Sequence, residues 1–197
     1  MTETIIDLLR HGEPQGGSRY RGHAIDDPLS AKGWLQMAQG IGEFRDWSRV
    51  ISSPLCRCHD FARSLADELC VKLDIDERFR EIGFGAWEGR TRQQLRIERA
   101  DEFDAFYRDP VNNTPQGAEP VADFYQRIAM ALDDVLAQYR GEHLLIVAHA
   151  GVIRAALVYT IGAPVDCMYN FRVLNGRISR LRHSAHHSNL ELVNARL

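Results

Sequence analysis

The sequence predicts an α/β protein, a three-layer sandwich in which helices cover both faces of a largely parallel sheet. The prediction rests on three observations. Short apolar segments alternate along the chain with longer segments of helical periodicity. Two of these segments, 4–9 and 143–148, are mostly apolar, as strands of a covered parallel sheet are. No internal repeat or interdomain linker interrupts the sequence, so we expect residues 1–197 to form a single domain.

The first half of the chain is predicted to hold three strands and two helices. Glycines and prolines are frequent at 14–29, which indicates a long loop, whereas apolar residues from Leu55 to Leu69 recur at helical intervals. Ser30 is a suitable N-cap for a helix whose apolar positions run from Trp34 to Phe44. The predicted elements are a strand at 4–9, the loop, the helix after Ser30, a strand at 50–53, a helix at 55–69 and a strand at 71–75.

In the second half, the glycines at 79–89 exclude a regular element, and Thr91 with Gln94 forms a capping box. Asn175-Gly176 between two apolar segments is typical of a β-hairpin turn. The predicted elements are a polar helix from Thr91 to about Arg108, a loop at 109–120, a helix at 121–136, a strand at 143–148, a helix at 152–161 and a hairpin of 171–174 with 178–181.

Composition and charge exclude several classes of protein. The formal net charge of −3 and a pI near 6.2 argue against nucleic acid or an anionic membrane as the main partner. No segment reaches the roughly 18 apolar residues that a membrane span needs, and the N-terminus does not look like a signal peptide. We therefore expect a cytoplasmic protein with reduced cysteines.

Cys56-Arg57-Cys58-His59 looks like part of a metal site, but no second ligand pair follows at zinc-site spacing. We expect these residues to be ordinary helix residues, and the protein to need neither a metal nor another cofactor. Lys32 and Lys72 are the only lysines, so nearly all positive charge is arginine. An anion site in this chain will therefore consist of guanidinium groups.

The candidate site lies where the predicted strands end. The segments 4–9 and 143–148 are each followed by a histidine, His11 and His149, and the strand at 50–53 ends just before Arg57. In an open parallel sheet, ligands bind beyond the carboxyl ends of the strands. If these strands are neighbours, the two histidines, Arg10 and Arg57 face one crevice. Two imidazoles and two guanidinium groups suit a small anion, and phosphate matches the guanidinium fork best.

The segments around these residues resemble the histidine phosphatase superfamily, the phosphoglycerate mutase-like group. Five segments occur in the order that the family shows, and they span residues 5 to about 154. They are Arg10-His11-Gly12-Glu13, Pro28-Leu29-Ser30-x-x-Gly33, Ser52-Ser53-Pro54-Leu55-x-Arg57, Glu81-x-x-Phe84-Gly85-x-Trp87-Glu88-Gly89 and His149-Ala150-Gly151. The resemblance implies a phosphoglycerate mutase-like fold and phosphoryl transfer through a phosphohistidine.

Carried over by position, the resemblance makes His11 the nucleophile and Glu81 the proton donor to the leaving group. Arg10, Arg57 and His149 would hold the phosphoryl oxygens. Glu13 and Glu88 are the competing carboxylates for the role of Glu81. Further candidate substrate-binding residues are Gly17, Gly22, His23 and Ala150.

The chain departs from the family pattern at two places. Residues 14–20 lack the asparagine that often follows the histidine motif, and Gly117-Ala118-Glu119-Pro120 stands where Gly-Glu-Ser is frequent, so we expect the serine contact to be missing. The short chain resembles the small phosphatases, such as those that act on α-ribazole-5′-phosphate. This resemblance implies a phosphoric monoester hydrolase of the histidine acid phosphatase type that acts on a small phosphorylated substrate.

Two alternatives to a phosphatase remain open at this stage. One is a phosphoglycerate mutase-type phosphoryl transferase, and the other is a catalytically silent module that binds phospho-ligands or proteins. A homodimer is compatible with the apolar strands, although nothing in the sequence demonstrates it.

Overall fold

A computed structural model describes residues 3–197, and its centre is one six-stranded sheet. The strands are β1 (Thr4–Arg10), β2 (Arg49–Ser52), β3 (Lys72–Ile75), β4 (His143–Ala148), β5 (Ile178–His183) and β6 (Ser188–Ala195). Their order across the sheet is β3-β2-β4-β1-β5-β6. The first four are parallel, whereas β5 runs antiparallel to β1 and β6 antiparallel to β5. The predicted largely parallel sheet is confirmed.

Helices cover both faces of the sheet, as predicted. They are α1 (Ala31–Ile41), α2 (Cys56–Leu69), α3 (Arg92–Glu98), α4 (Ala100–Arg108), α5 (Val121–Gln138) and α6 (Ala150–Ile161). Leu145 and Val147 of β4 pack with α1 and α2, whereas Leu144 and Ile146 pack with α3 to α6. This alternation follows from the two-residue period of a strand, and it gives the sandwich its two apolar cores.

The register of the central strands brings the candidate residues to one edge. Arg10 pairs with Ala148, and Ser52 pairs with Val147, so β1, β2 and β4 end at the same level. The His11 amide continues the ladder by donating to the Ala148 carbonyl at 2.9 Å. The chain therefore leaves all three strands on the same side of the sheet, as a ligand site at the carboxyl edge requires.

The predicted helix starts are confirmed by their caps. The Ser30 hydroxyl accepts from the Gly33 amide at 3.0 Å, and Thr91 with Gln94 forms the capping box. Two predicted lengths were wrong. α1 ends at Ile41 because Gly42 takes a positive φ of 52°, and the helix after Thr91 breaks at Arg99 (φ −143°, ψ 45°) into α3 and α4.

The predicted hairpin of 171–174 with 178–181 was also wrong. Residues 171–174 form no strand, and the Asn175-Gly176 turn instead delivers β5 to the edge of β1, where the Gly176 amide donates to the Arg10 carbonyl at 3.1 Å. β5 forms its hairpin with β6, which the sequence did not predict. Pairing with β1 is a long-range contact, which local turn chemistry does not encode.

Among residues 3–197, no helix is long and apolar enough to cross a membrane.

Candidate active site

A cavity of about 250 Å³ opens at the carboxyl edge of the sheet. Arg10, His11, Arg57 and Glu81 all line it, although they come from four different parts of the chain. The structure therefore brings these predicted residues together. His149 lies next to the cavity but is fully buried and is not among the lining residues.

His11 is held in one tautomer by its own backbone neighbour. Its ring Nδ1 lies 2.7 Å from the Gly12 carbonyl oxygen. A carbonyl oxygen only accepts, so Nδ1 must carry the proton and Nε2 must carry the lone pair. Nε2 makes no hydrogen bond with any residue from 3 to 197. His11 therefore presents an unprotonated nitrogen at the cavity.

Gly12 is required by the packing of the loop against α1. A Cβ atom at this position would overlap the Gly33 carbonyl oxygen. The close contact lets the loop fold back, so that the Ser30 hydroxyl donates to the Glu13 carbonyl at 2.9 Å. The glycine after His11 thus fixes the carbonyl that determines the tautomer.

Burial and neighbouring arginines keep both histidines neutral. The pKa of His11 is well below its usual value, first because burial penalises the charged ring and then because Arg10 and Arg57 repel it. Burial and Arg57 also lower the pKa of His149. The two rings are 5.1 Å apart between centroids. A neutral imidazole is the nucleophilic form, so this charge arrangement favours attack by His11.

Arg57 is a buried cation and Arg10 a half-buried one, and both are only partly neutralised. Arg57 donates from Nη1 to the Ile25 carbonyl at 2.9 Å and from Nη2 to the Gly22 carbonyl at 2.7 Å. Arg10 donates from Nη1 to the Val173 carbonyl at 2.6 Å. Within residues 3–197, the buried Nε atoms of Arg10 and Arg57 have no hydrogen-bond partner. Buried donors without a partner are costly, so the pair is well suited to an anion.

His149 is held by Ser53, the residue after β2, and by Cys58 of α2. Its Nε2 lies 2.7 Å from the Ser53 hydroxyl, and the Cys58 sulfur lies 3.6 Å from the same nitrogen. Burial raises the pKa of the Cys58 thiol, which keeps it uncharged beside the ring. Cys56 and Cys58 lie on α2 as expected. Among residues 3–197, no group of three or more His, Cys, Asp or Glu side chains is arranged to hold a metal ion.

Glu81 enters the cavity from the loop after β3. Its Oε1 accepts from the Ile82 amide and from the Gly151 amide, both at 3.1 Å. A Cβ atom at position 151 would collide with this carboxylate oxygen, so only glycine allows the contact. The loop and the first turn of α6 together therefore position the carboxyl group.

The additional candidates occupy different places. Gly17, Gly22 and Ala150 line the cavity, but the Gly17 carbonyl accepts from Arg21 Nη2 at 2.8 Å and the Gly22 carbonyl accepts from Arg57. These carbonyls orient arginines. His23 is not on the cavity wall, and its Nδ1 lies 3.2 Å from the Glu81 carbonyl oxygen. Glu88 accepts from the Phe84 amide and is also off the wall, whereas Glu13 lines it.

Several lining residues were not predicted from the sequence. They are Arg19, Arg21, Arg92, Arg154, Tyr20, Tyr107, Tyr169 and Asn175. Arg154 had a signal, because it lies on the helix that starts immediately after His149. Asn175 was assigned to a hairpin turn, but its side-chain amide donates to the His11 carbonyl at 3.0 Å. Arg92 and Tyr107 reach the cavity only through tertiary packing.

Comparison with known proteins identifies the class to which this site belongs. The chain matches the model of the histidine phosphatase superfamily (branch 1) over residues 6–196, and it is a member of that family. The resemblance seen in the five motifs is thereby confirmed.

Individual relatives differ in the substrates that their names give. The adenosylcobalamin/alpha-ribazole phosphatase of Escherichia coli is 29% identical over 194 residues, which cover 96% of this chain and 95% of that protein. A probable phosphoglycerate mutase of Enterobacter sp. is 34% identical over 185 residues, covering 89% and 83%. The chain spans about half the length (48%) of three mycobacterial relatives that are 30% identical to it.

A solved structure of a mycobacterial glucosyl-3-phosphoglycerate phosphatase with VO3 has a TM-score of 0.85 to this protein. Its sequence identity is 27%, and the match covers 97% of this chain and 98% of that one. The phosphoglycerate mutase-like fold expected from the sequence is confirmed.

Proposed function

We propose that the protein hydrolyses a small phosphate monoester through a phosphohistidine formed on Nε2 of His11. The observation that carries the proposal is the hydrogen bond of His11 Nδ1 to the Gly12 carbonyl, which leaves Nε2 unprotonated in a cavity lined by Arg10 and Arg57. This makes the protein a phosphoric monoester hydrolase of the histidine acid phosphatase type, acting as one domain. A cytoplasmic location and a homodimer remain predictions of the sequence.

In the first step, His11 Nε2 attacks phosphorus in line with the ester oxygen. The N–P bond forms while the P–O bond to the alcohol breaks, and the Glu81 carboxyl group gives its proton to the leaving oxygen. Arg10 and Arg57 hold the non-bridging oxygens. By positioning the phosphoryl group and stabilising its negative charge, the two arginines supply much of the catalysis. The imidazole becomes cationic, and the Gly12 carbonyl, which accepts from Nδ1, stabilises that charge.

In the second step, water attacks the phosphohistidine. The Glu81 carboxylate, formed in the first step, accepts a proton from the water as the O–P bond forms and the N–P bond breaks. Inorganic phosphate leaves, and both His11 and Glu81 return to their starting states. His149 is proposed to contact the phosphoryl oxygens; this role is supported by its neutral ring lying edge-on to His11.

The family permits several substrates. α-Ribazole-5′-phosphate is one candidate, since the relative from Escherichia coli carries that name. A mutase activity is a second candidate, because the Enterobacter relative is named a probable phosphoglycerate mutase. A mutase returns the phosphoryl group to the substrate, whereas a phosphatase releases it to water.

The proposal is tested by phosphate release from p-nitrophenyl phosphate in the wild type, His11→Ala and His186→Ala. His11→Ala is expected to lose roughly 10³-fold or more of kcat, because it removes the attacking atom. The exposed His186 serves as the matched control. Acid-labile, base-stable protein-bound phosphate should accumulate on the wild type and on His186→Ala, but not on His11→Ala. Undiminished turnover by His11→Ala would refute the proposal.

The mutase alternative is tested separately. The protein is primed with bisphosphoglycerate and given 3-phosphoglycerate. Release of inorganic phosphate without 2-phosphoglycerate excludes mutase action as the main activity. A protein that binds phosphate esters but neither becomes phosphorylated nor releases phosphate is a binding module.

A further inference from the structure

Four guanidinium groups line the cavity without a role in the mechanism above, and two of them, Arg92 and Arg154, lie against aromatic rings. Arg92 lies in the first turn of α3, and Arg154 lies in α6. Within residues 3–197, neither forms an ion pair with a carboxylate, and Arg154 donates only from Nε to the Phe171 carbonyl at 2.9 Å. Both keep their Nη donors available for another anion.

The two arginines lie on the faces of two tyrosines. Arg92 lies 4.6 Å from the Tyr107 ring centroid, and Arg154 lies 5.4 Å from the Tyr169 ring centroid. The tyrosine rings themselves are 5.6 Å apart and nearly perpendicular, at 84°. We call this row of Arg92, Tyr107, Tyr169 and Arg154 the arginine–tyrosine wall. Stacking on aromatic faces restricts the planar cations, so they lose less freedom on binding a ligand.

The wall begins beside the phosphoryl site. The pKa of Arg10 is lowered to about 10, first by burial and then by the charge of Arg154. Arg10 donates to the Val173 carbonyl and Arg154 to the Phe171 carbonyl, so both cations are held by the same short segment beside the cavity. The buried Tyr169 hydroxyl has no hydrogen-bond partner among residues 3–197, although Tyr169 lines the cavity. One molecule can thus reach Arg10 and the wall together.

The charge of the cavity exceeds what a simple phosphate monoester neutralises. Six arginines line it: Arg10, Arg19, Arg21, Arg57, Arg92 and Arg154. Arg21 and Arg57 pair with Asp27 and Asp26, whereas the other four form no ion pair with residues 3–197. The Glu13 carboxylate is itself paired with Lys32. A phosphate monoester carries at most two negative charges and the lining Glu81 at most one, so the four unpaired arginines are not fully neutralised.

We propose that the arginine–tyrosine wall binds a second anionic group, a carboxylate or a second phosphate, on the same molecule whose phosphoryl group His11 takes. The inference rests on the proposed function and narrows its substrate class to phosphate monoesters with another anion. An otherwise uncharged monoester leaves Arg92 and Arg154 without a counter-charge. Charged hydrogen bonds of this kind are the strong ones, so the second anion contributes to affinity and to substrate choice.

The test compares inhibition constants for matched compounds against p-nitrophenyl phosphate hydrolysis. Phosphoserine and phosphoethanolamine differ by a carboxylate, whereas fructose 1,6-bisphosphate and fructose 6-phosphate differ by a phosphate. We expect the member with the second anion to bind about tenfold or more tightly in at least one pair. The pair that shows the preference identifies which anion the wall takes. The preference should weaken at high salt because Arg92 is exposed.

Three variants assign the preference to the wall. Arg92→Gln and Arg154→Gln are each expected to reduce the preference several-fold. Arg96→Gln is the matched control: Arg96 lies on α3 as well and also stacks on an aromatic ring, Phe103, at 5.5 Å, but it does not line the cavity. Arg96→Gln should keep the wild-type preference.

The outcomes separate the two proposals. Equal inhibition constants within both pairs, or a preference that survives Arg92→Gln and Arg154→Gln, would overturn the second-anion site while p-nitrophenyl phosphate is still hydrolysed. No hydrolysis by the wild type would overturn the proposed function instead. Calorimetric titration with the same four compounds measures the preference without turnover, so the wall is tested in either case.

Discussion

Arg127 and Glu119 form a two-point ion pair directly behind the loop that carries Glu81. Arg127 donates from Nε to Oε1 and from Nη2 to Oε2 of Glu119, each at 2.8 Å. Arg127 Nη1 also donates to the carbonyls of Arg78 at 2.5 Å and Arg80 at 3.0 Å. Glu119 Oε2 accepts from the Gly83 amide at 3.3 Å. The pair therefore ties down the backbone on both sides of the proposed proton donor.

We predict that Arg127→Gln loosens this loop. The substitution leaves Glu119 and the backbone carbonyls of Arg78, Arg80 and Glu81 without their charged partner, so the free energy of unfolding should fall by roughly 2–3 kcal/mol. It should also lower kcat/KM more for alkyl phosphates than for p-nitrophenyl phosphate, because only poor leaving groups need a well-placed proton. Urea unfolding and paired kinetics measure the two effects. Asp134→Asn, which removes an exposed ion pair with Arg78, is the control and should change neither.

Glu81→Gln tests the proton donor itself. The amide keeps the size of the side chain but cannot give up a proton, so kcat/KM for alkyl phosphates should fall by roughly 10²–10⁴-fold. The loss for p-nitrophenyl phosphate should be much smaller. Glu13→Gln is the comparison, since Glu13 also lines the cavity but is paired with Lys32 at 2.9 Å. If Glu13→Gln showed the larger dependence on the leaving group, the roles would have to be exchanged.

The buried neutral histidines predict a loss of stability in mild acid. The pKa of His149 is lowered in the folded protein, chiefly by burial, so only the unfolded chain takes up this proton as the pH falls through about 6.5. Stability is therefore full above that pH and declines below it, by at most about 1.4 kcal/mol per pH unit for each such group.

Urea unfolding between pH 7.5 and 5 measures this slope. His149→Gln should flatten it by the contribution of one group, whereas His186→Gln, at an exposed position, should leave it unchanged. A wild-type stability that does not decline below pH 6.5 would contradict the assignment of neutral, buried rings.

The segment 117–120, where the sequence departs from the family pattern, has a structural role of its own. The family's serine is absent, as the sequence shows, but Glu119 in that segment holds Arg127 and the Gly83 amide. The motif alone identifies which residue type is present. It does not identify the partner, because Arg127 lies eight residues further on, in α5.

The sequence by itself determined the α/β class, the strands that end at His11 and His149, and the family. These features are local: apolar strands, capping boxes and a motif after each strand are encoded by neighbouring residues. It also predicted that His11, His149, Arg10 and Arg57 would share one crevice, because the carboxyl ends of parallel strands meet at one edge. Glu81 was added to this site by the family resemblance.

Only the tertiary structure decided the rest. The pairing of β5 with β1, the packing of Gly12 against Gly33, the bonds of Arg127 to the Arg78 and Arg80 carbonyls and the wall from Arg92 to Arg154 all depend on contacts between distant segments. Turn chemistry and periodicity describe short stretches of chain, whereas strand partners and side-chain neighbours are set by packing across the fold. For this protein, the proposed chemistry follows from motifs in the sequence, whereas the proposed second-anion site follows only from the folded cavity.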